Sequence, residues 1–101
     1  MPFYTTVRAR LKDADPETAM GTHNGVVARL LGVTQANGGV GHRVFANAQD
    51  PREFLAMDTW ESMEGMQKAF GDPNTQAEIA SMFDGPPEVT IWAPRECWTT
   101  F

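Results

Sequence analysis

Phe3, Thr5, Val7, Ala9 and Leu11 alternate with Tyr4, Thr6, Arg8 and Arg10, the two-residue period of a strand with one face buried. Asp15-Pro16-Glu17 then predicts a helix start. Asp15 can cap free backbone N–H groups, Pro16 suits the first turn, and Glu17 favours the positive end of the helix dipole. The helix is expected to run to about Leu31, with Gly32 as its left-handed stop. Met20, Val27, Leu30 and Leu31 form its apolar stripe, and His23 falls on the same side.

Asn37-Gly38-Gly39 signals a turn, and Val40 to Asn47 predicts a second strand with Val40, His42, Val44 and Ala46 on one face. Asp50-Pro51 turns the chain, and Phe54 to Thr59 makes a third strand leading into Trp60. Ser62 can cap a second helix with Met63, Met66 and Phe70 on its stripe. Asp72-Pro73-Asn74 breaks that helix and starts another, which carries Ile79, Met82 and Phe83 inward. Gly85-Pro86-Pro87 is expected to end it, because neither proline can supply a backbone N–H. The last strand is expected from near Glu88, with Val89, Ile91 and Ala93 alternating against Thr90 and Trp92.

The order β-α-β-β-α-α-β predicts one α+β domain over residues 1–101, of the ferredoxin-like split βαβ kind, with helices on one face of an antiparallel sheet. The other face is left open. Trp92, Trp98 and Phe101 are too apolar to leave in water, so a homodimer packed sheet to sheet is expected.

Composition narrows the function classes. Eight basic residues against thirteen acidic ones give a net charge of −5, and the basic ones are scattered apart from Arg8, Arg10 and Lys12. Nucleic acid calls for a concentrated positive field, so that partner is not expected. No apolar run approaches the roughly 20 residues of a membrane helix, so no membrane partner is expected either. The single cysteine, Cys97, rules out an intrachain disulfide framework. The opening residues lack the basic and apolar blocks of a signal peptide, so a cytoplasmic location is expected.

The run Phe54-Leu-Ala-Met-Asp-Thr-Trp60-Glu-Ser-Met-Glu-Gly-Met, then Asp72-Pro73, then Gly85-Pro-Pro-Glu-Val-Thr-Ile-Trp92, resembles the dimeric α/β-barrel superfamily, and within it the antibiotic-biosynthesis-monooxygenase-like domains. The strand ending in Trp-x-Ser ahead of a helix is the most recognisable segment. The resemblance implies a pocket between sheet and helices. It also implies chemistry of a cofactor-independent kind: oxidation of electron-rich phenols or quinols by O₂, on a small aromatic or polyketide-like substrate. Neither cofactor nor metal is expected, and His23, His42 and Asp58 have no tight ligand spacing that would support a facial metal triad.

Such chemistry needs a dry cavity and a few aimed polar groups. The catalytic candidates are His23, His42 and Asp58. Each histidine serves either as a base near neutral pH or as a core residue satisfying a backbone carbonyl. Asp58 shares a strand face with Ala56 and Trp60. It is a buried base with a raised pKa if that face lines the pocket, or pairs with Arg8, Arg10 or Arg43 across an interface if it does not. Trp60, Met66, Phe70 and Phe83 are the candidate ligand-binding wall, with core packing as the alternative for each. Three readings remain: an oxygenase, which the resemblance favours, a non-catalytic dimeric ligand-binding protein, and an isomerase or cyclase using the same pocket.

Overall fold

A computed structural model describes residues 2–101. The elements are β1 (Phe3–Leu11), α1 (Pro16–Ala36), β2 (Gly39–Asn47), β3 (Asp50–Trp60), α2 (Met63–Gly71), α3 (Pro73–Ala80) and β4 (Phe83–Trp92). The four strands form an antiparallel sheet in the order β2-β3-β1-β4, the ferredoxin-like arrangement expected. Val7, Phe54 and Ala56 from the sheet pack with Val26 and Leu30 of α1 and with Met82 and Phe83. A second cluster joins Trp60 to Met66 and Ala69 of α2.

Local chemistry explains most element ends. Asp15 caps α1, its carboxylate accepting from the Thr18 amide at 3.0 Å and the Thr18 hydroxyl at 2.7 Å. Ser62 accepts from the Gly65 amide to start α2, and Asp72 accepts from Thr75 to start α3. Arg52 fastens the β1–α1 connection by donating to the carbonyls of Leu11 and Lys12.

Several boundaries differ from expectation. Helix α1 passes Gly32 and ends at Ala36, capped by Asn37, whose amide donates to the Val33 carbonyl at 2.8 Å. Inward packing by Val33 and Thr34 outweighs the cost of about 1 kcal/mol that glycine brings to a helix interior. Met20, expected on the inward stripe, is 59% exposed, and Ala19, Val26 and Leu30 hold the buried positions instead. Leu31 is also exposed over about half its surface.

Two proline-containing segments also differ. Strand β3 starts at Asp50, so Pro51 lies within it, before pairing with β1 begins at Glu53. Gly85-Pro86-Pro87 does not end a helix but lies inside β4, which starts at Phe83. There the register to β1 shifts between Arg8 and Arg10, and Gly85 takes a φ of +87°. An edge strand with a bulge needs few donors at that point, so the prolines fit.

Gly65 marks the tightest approach between elements. A Cβ placed there would lie 2.0 Å from the Asn37 carbonyl oxygen, a backbone atom with no freedom to move aside. Gly21, on the exposed side of α1, has nothing within 4 Å. Gly65→Ala is therefore expected to destabilise by about 1–3 kcal/mol, a melting temperature lower by roughly 4–8 °C per kcal/mol. Gly21→Ala should stabilise by about 0.5–1 kcal/mol. Paired thermal melts of the two variants against wild type check both signs.

Candidate functional site

Alternation along β3 sends Phe54, Ala56, Asp58 and Trp60 to the helix side of the sheet. The β2–β3 register sets His42 directly opposite Asp58, so their side chains meet on that face. Residue His23 descends from α1 onto the same spot, one helical turn before Val26 and Val27. The three catalytic candidates, distant in sequence, are thus brought together.

They form a continuous hydrogen-bonded chain. His42 Nδ1 lies 2.5 Å from Asp58 Oδ1, and His42 Nε2 lies 3.0 Å from His23 Nε2. The imidazole centroids are 5.2 Å apart with planes inclined by only 14°. Since the centroids are separated by the nitrogen–nitrogen distance plus about one ring radius on each side, the rings meet edge to edge, nitrogen toward nitrogen. Lone pairs aimed at each other at this distance repel, so one nitrogen must carry a proton and donate to the other. Such a contact leaves no room for an ion between the two nitrogens. Among the described residues no group of three or more His, Cys, Asp or Glu is placed to hold a metal ion.

Asp58 as carboxylate is an acceptor only, so His42 Nδ1 carries a proton. The hydrogen bond that His42 donates to Asp58 is the main cause that raises the His42 pKa above its ordinary value; partial burial opposes it, and the negative charge of Asp58 adds to it. Asp58 pairs with none of Arg8, Arg10 or Arg43. Arg8 binds Glu53 and Arg10 binds Asp50 on the other face of the sheet, and Arg43 lies over the Phe45 ring.

The three groups line a half-open cavity of about 110 Å³ whose remaining wall is chiefly carbon. Val7, Val26, Leu30, Phe54, Ile79 and Met82 are among the residues of that wall. Engineered apolar cavities of about 150 Å³ bind benzene, so the space suits about one aromatic ring. All the titratable groups among the lining residues belong to the His23–His42–Asp58 chain.

Two of the four expected wall residues stand at the cavity and two do not. Trp60 and Phe70 line the cavity, their rings 5.7 Å apart and tilted by 58°. Trp60 is also a core residue, 2% exposed, and its indole N–H donates at 3.0 Å to the hydroxyl of Thr5, which is wholly buried. Met66 and Phe83 do not line it. Met66 packs with Trp60 and Ala69 in the second cluster, and Phe83, the first residue of β4, packs against Phe54 with ring centroids 5.2 Å apart. Thr34 and Phe54 are wall residues that the sequence reading left out. Continuing the α1 stripe one turn past Gly32 reaches Thr34, and alternation back from Asp58 reaches Phe54.

No protein-family profile matches the sequence. No curated protein matches it either. Solved structures do match, at low identity. The chain is similar to SnoaB, a cofactor-independent oxygenase from Streptomyces nogalater, with 14% identity, 94% of each chain covered and a TM-score of 0.69. It is similar to a candidate antibiotic biosynthesis monooxygenase from Nitrosomonas europaea, with 13% identity, 95% of this chain and 92% of that chain covered, and a TM-score of 0.70. Rv0793 from Mycobacterium tuberculosis matches with 18% identity, 95% and 97% coverage, and a TM-score of 0.66. The backbone of this chain therefore has the fold found in antibiotic-biosynthesis-monooxygenase-like proteins.

Proposed function

We propose that the chain is a cofactor-independent monooxygenase-type enzyme acting on a phenol or quinol of one ring, or on one such ring of a larger polyketide-like molecule. The proton-sharing chain of His23, His42 and Asp58, set in the wall of an otherwise apolar cavity, carries this reading. The fold shared with SnoaB supports it.

In this reading the phenolic oxygen takes the place of the histidine–histidine contact. It gives its proton to one Nε2, and the protonated pair then donates hydrogen bonds to the phenolate. The electron-rich ring adds O₂ at carbon, forming a C–O bond. Loss of that carbon's C–H proton and cleavage of the O–O bond release water and leave a quinone, the ring having supplied all the electrons that O₂ takes up. The bound ring displaces water from the half-open cavity, which strengthens each of these polar contacts. The open sheet face, bearing Tyr4, Phe45, Leu55, Met57 and Trp92, is covered by a second copy of the chain. The free, exposed Cys97 fits a reducing, cytoplasmic setting.

An oxygen electrode with a panel of phenols and quinols, without added flavin, haem or metal, tests the reading. Wild type is expected to consume O₂, and His42→Gln and His23→Gln to lower turnover by roughly 10²–10⁴-fold while remaining folded. Ligand binding with no O₂ uptake would favour a binding protein, and product without O₂ uptake an isomerase or cyclase. Light scattering should give about twice the 11.1 kDa chain mass; a stable monomer would remove the second copy from the account.

The pH dependence has a definite sign. A base must be neutral, so kcat/KM should rise with pH as the pair loses its proton. Asp58→Asn removes the partner that raises the His42 pKa, so the rising limb should move to lower pH. The stability linkage runs the other way. Because the folded pKa lies above the unfolded one, this contribution is fully present below about pH 6.5 and is lost as pH rises through the folded value. The melting-temperature advantage of wild type over His42→Gln should therefore shrink as pH rises from about 6.5 through the raised folded value.

A further inference from the structure

The chain of hydrogen bonds does not stop at His23. Its Nδ1 lies 3.0 Å from Asn24 Oδ1, and Asn24 is exposed on α1. Four groups are thereby joined by three hydrogen bonds, Asn24–His23–His42–Asp58. Counting protons along it gives two self-consistent arrangements.

With the Asn24 oxygen toward the ring, the amide accepts and His23 Nδ1 must carry a proton. His42 Nδ1 already carries one for Asp58. The facing Nε2 atoms then need a further proton between them, so the pair holds a positive charge. With the amide turned over, its NH₂ donates to a bare His23 Nδ1. His23 then carries its proton on Nε2 and donates to a bare His42 Nε2, and the pair is neutral with every bond kept. Loss of one proton is thus matched by an amide flip and a change of His23 tautomer.

We propose that Asn24 is a positioning residue that acts through His23, its amide orientation selecting between the charged and the neutral histidine pair. This deepens the proposed base and rests on it, since the neutral arrangement is the one able to accept a substrate proton. The exposed amide can turn without disturbing the core, whereas Asp58, largely buried on β3, stays a fixed acceptor at the other end. From the elements packed around the pair, Asp58 of β3 is the titratable group facing it; Val27 of α1 and Phe54 of β3 contribute only carbon to the same wall. A residue with equal facility as donor and acceptor is required at position 24, and asparagine is one.

Long-range ¹H–¹⁵N correlation spectra of the histidine rings test this without any substrate. In wild type His23 is expected to change from a form protonated at Nδ1 to one protonated only at Nε2 as the pair loses its proton. Asn24→Asp presents an acceptor alone. It should hold His23 in the Nδ1–H form through that range, raising the ratio of Nδ1–H to Nε2–H form by roughly tenfold or more and displacing the rising limb of kcat to higher pH with KM little changed. Asn24→Ala should lose the pH-linked change of tautomer while keeping the wild-type melting temperature. If the Asp variant does not fold, the Ala variant decides. The same tautomer ratio and titration in wild type and in the variants would overturn the proposal and leave the base reading intact. Unchanged turnover in both His42→Gln and His23→Gln would instead overturn the base reading and leave the wild-type spectra unaffected.

Discussion

The register between β2 and β3 holds the site together, because it puts His42 across from Asp58 on the helix side of the sheet. Side chains alternate along a strand, so a slip of one residue would send either partner to the opposite face. Alternation along β3, fixed by its pairing with β1, carries Phe54, Ala56 and Trp60 inward, and they are the floor against which α1 and α2 pack. A slip of β3 would therefore cost core burial as well as the histidine–aspartate contact. Burial of the phenylalanine and tryptophan rings, worth about 1.5–3 kcal/mol for each large side chain, fixes the inward face of β3 more firmly than the histidine–aspartate contact does. The apolar floor positions the polar groups.

That division also accounts for the electrostatics. Asp58 is mostly covered while the His42 side chain stays about a third exposed, so the carboxylate end is fixed and the imidazole end reaches water. Carbon on the remaining wall leaves the pair few competing partners. A short hydrogen-bonded path runs from the cavity through His23 to the exposed surface at Asn24.

Much of this was legible from periodicity. Alternation in β1 and β3 and the helical spacing of His23 each indicated a face, and the βαββααβ order brought those faces together. Three residues on three elements converged for that reason. Where the reading failed, packing had overruled a local signal. Glycine at position 32 reads as a helix stop, but Val33 and Thr34 hold the helix on through it. Prolines 86 and 87 read as a terminator, but an edge strand with a bulge accommodates them. Met66 and Phe83 are apolar and inward as expected, yet nothing local separates a wall residue from one a layer deeper. The closeness of Gly65 to Asn37 and the bond from Asn24 to His23 arise only once the chain is folded.

The central claim is that the cavity takes a phenol and removes its proton. Absorbance of 4-nitrophenol tests it directly, since the bound molecule reports its own ionisation. At a pH just below the value at which the free phenol ionises, the protein is expected to bind it and shift its spectrum to that of the phenolate. His42→Gln should bind it as the neutral phenol. A wild-type complex with the neutral phenol spectrum, or no binding within the solubility of the ligand, would contradict the account.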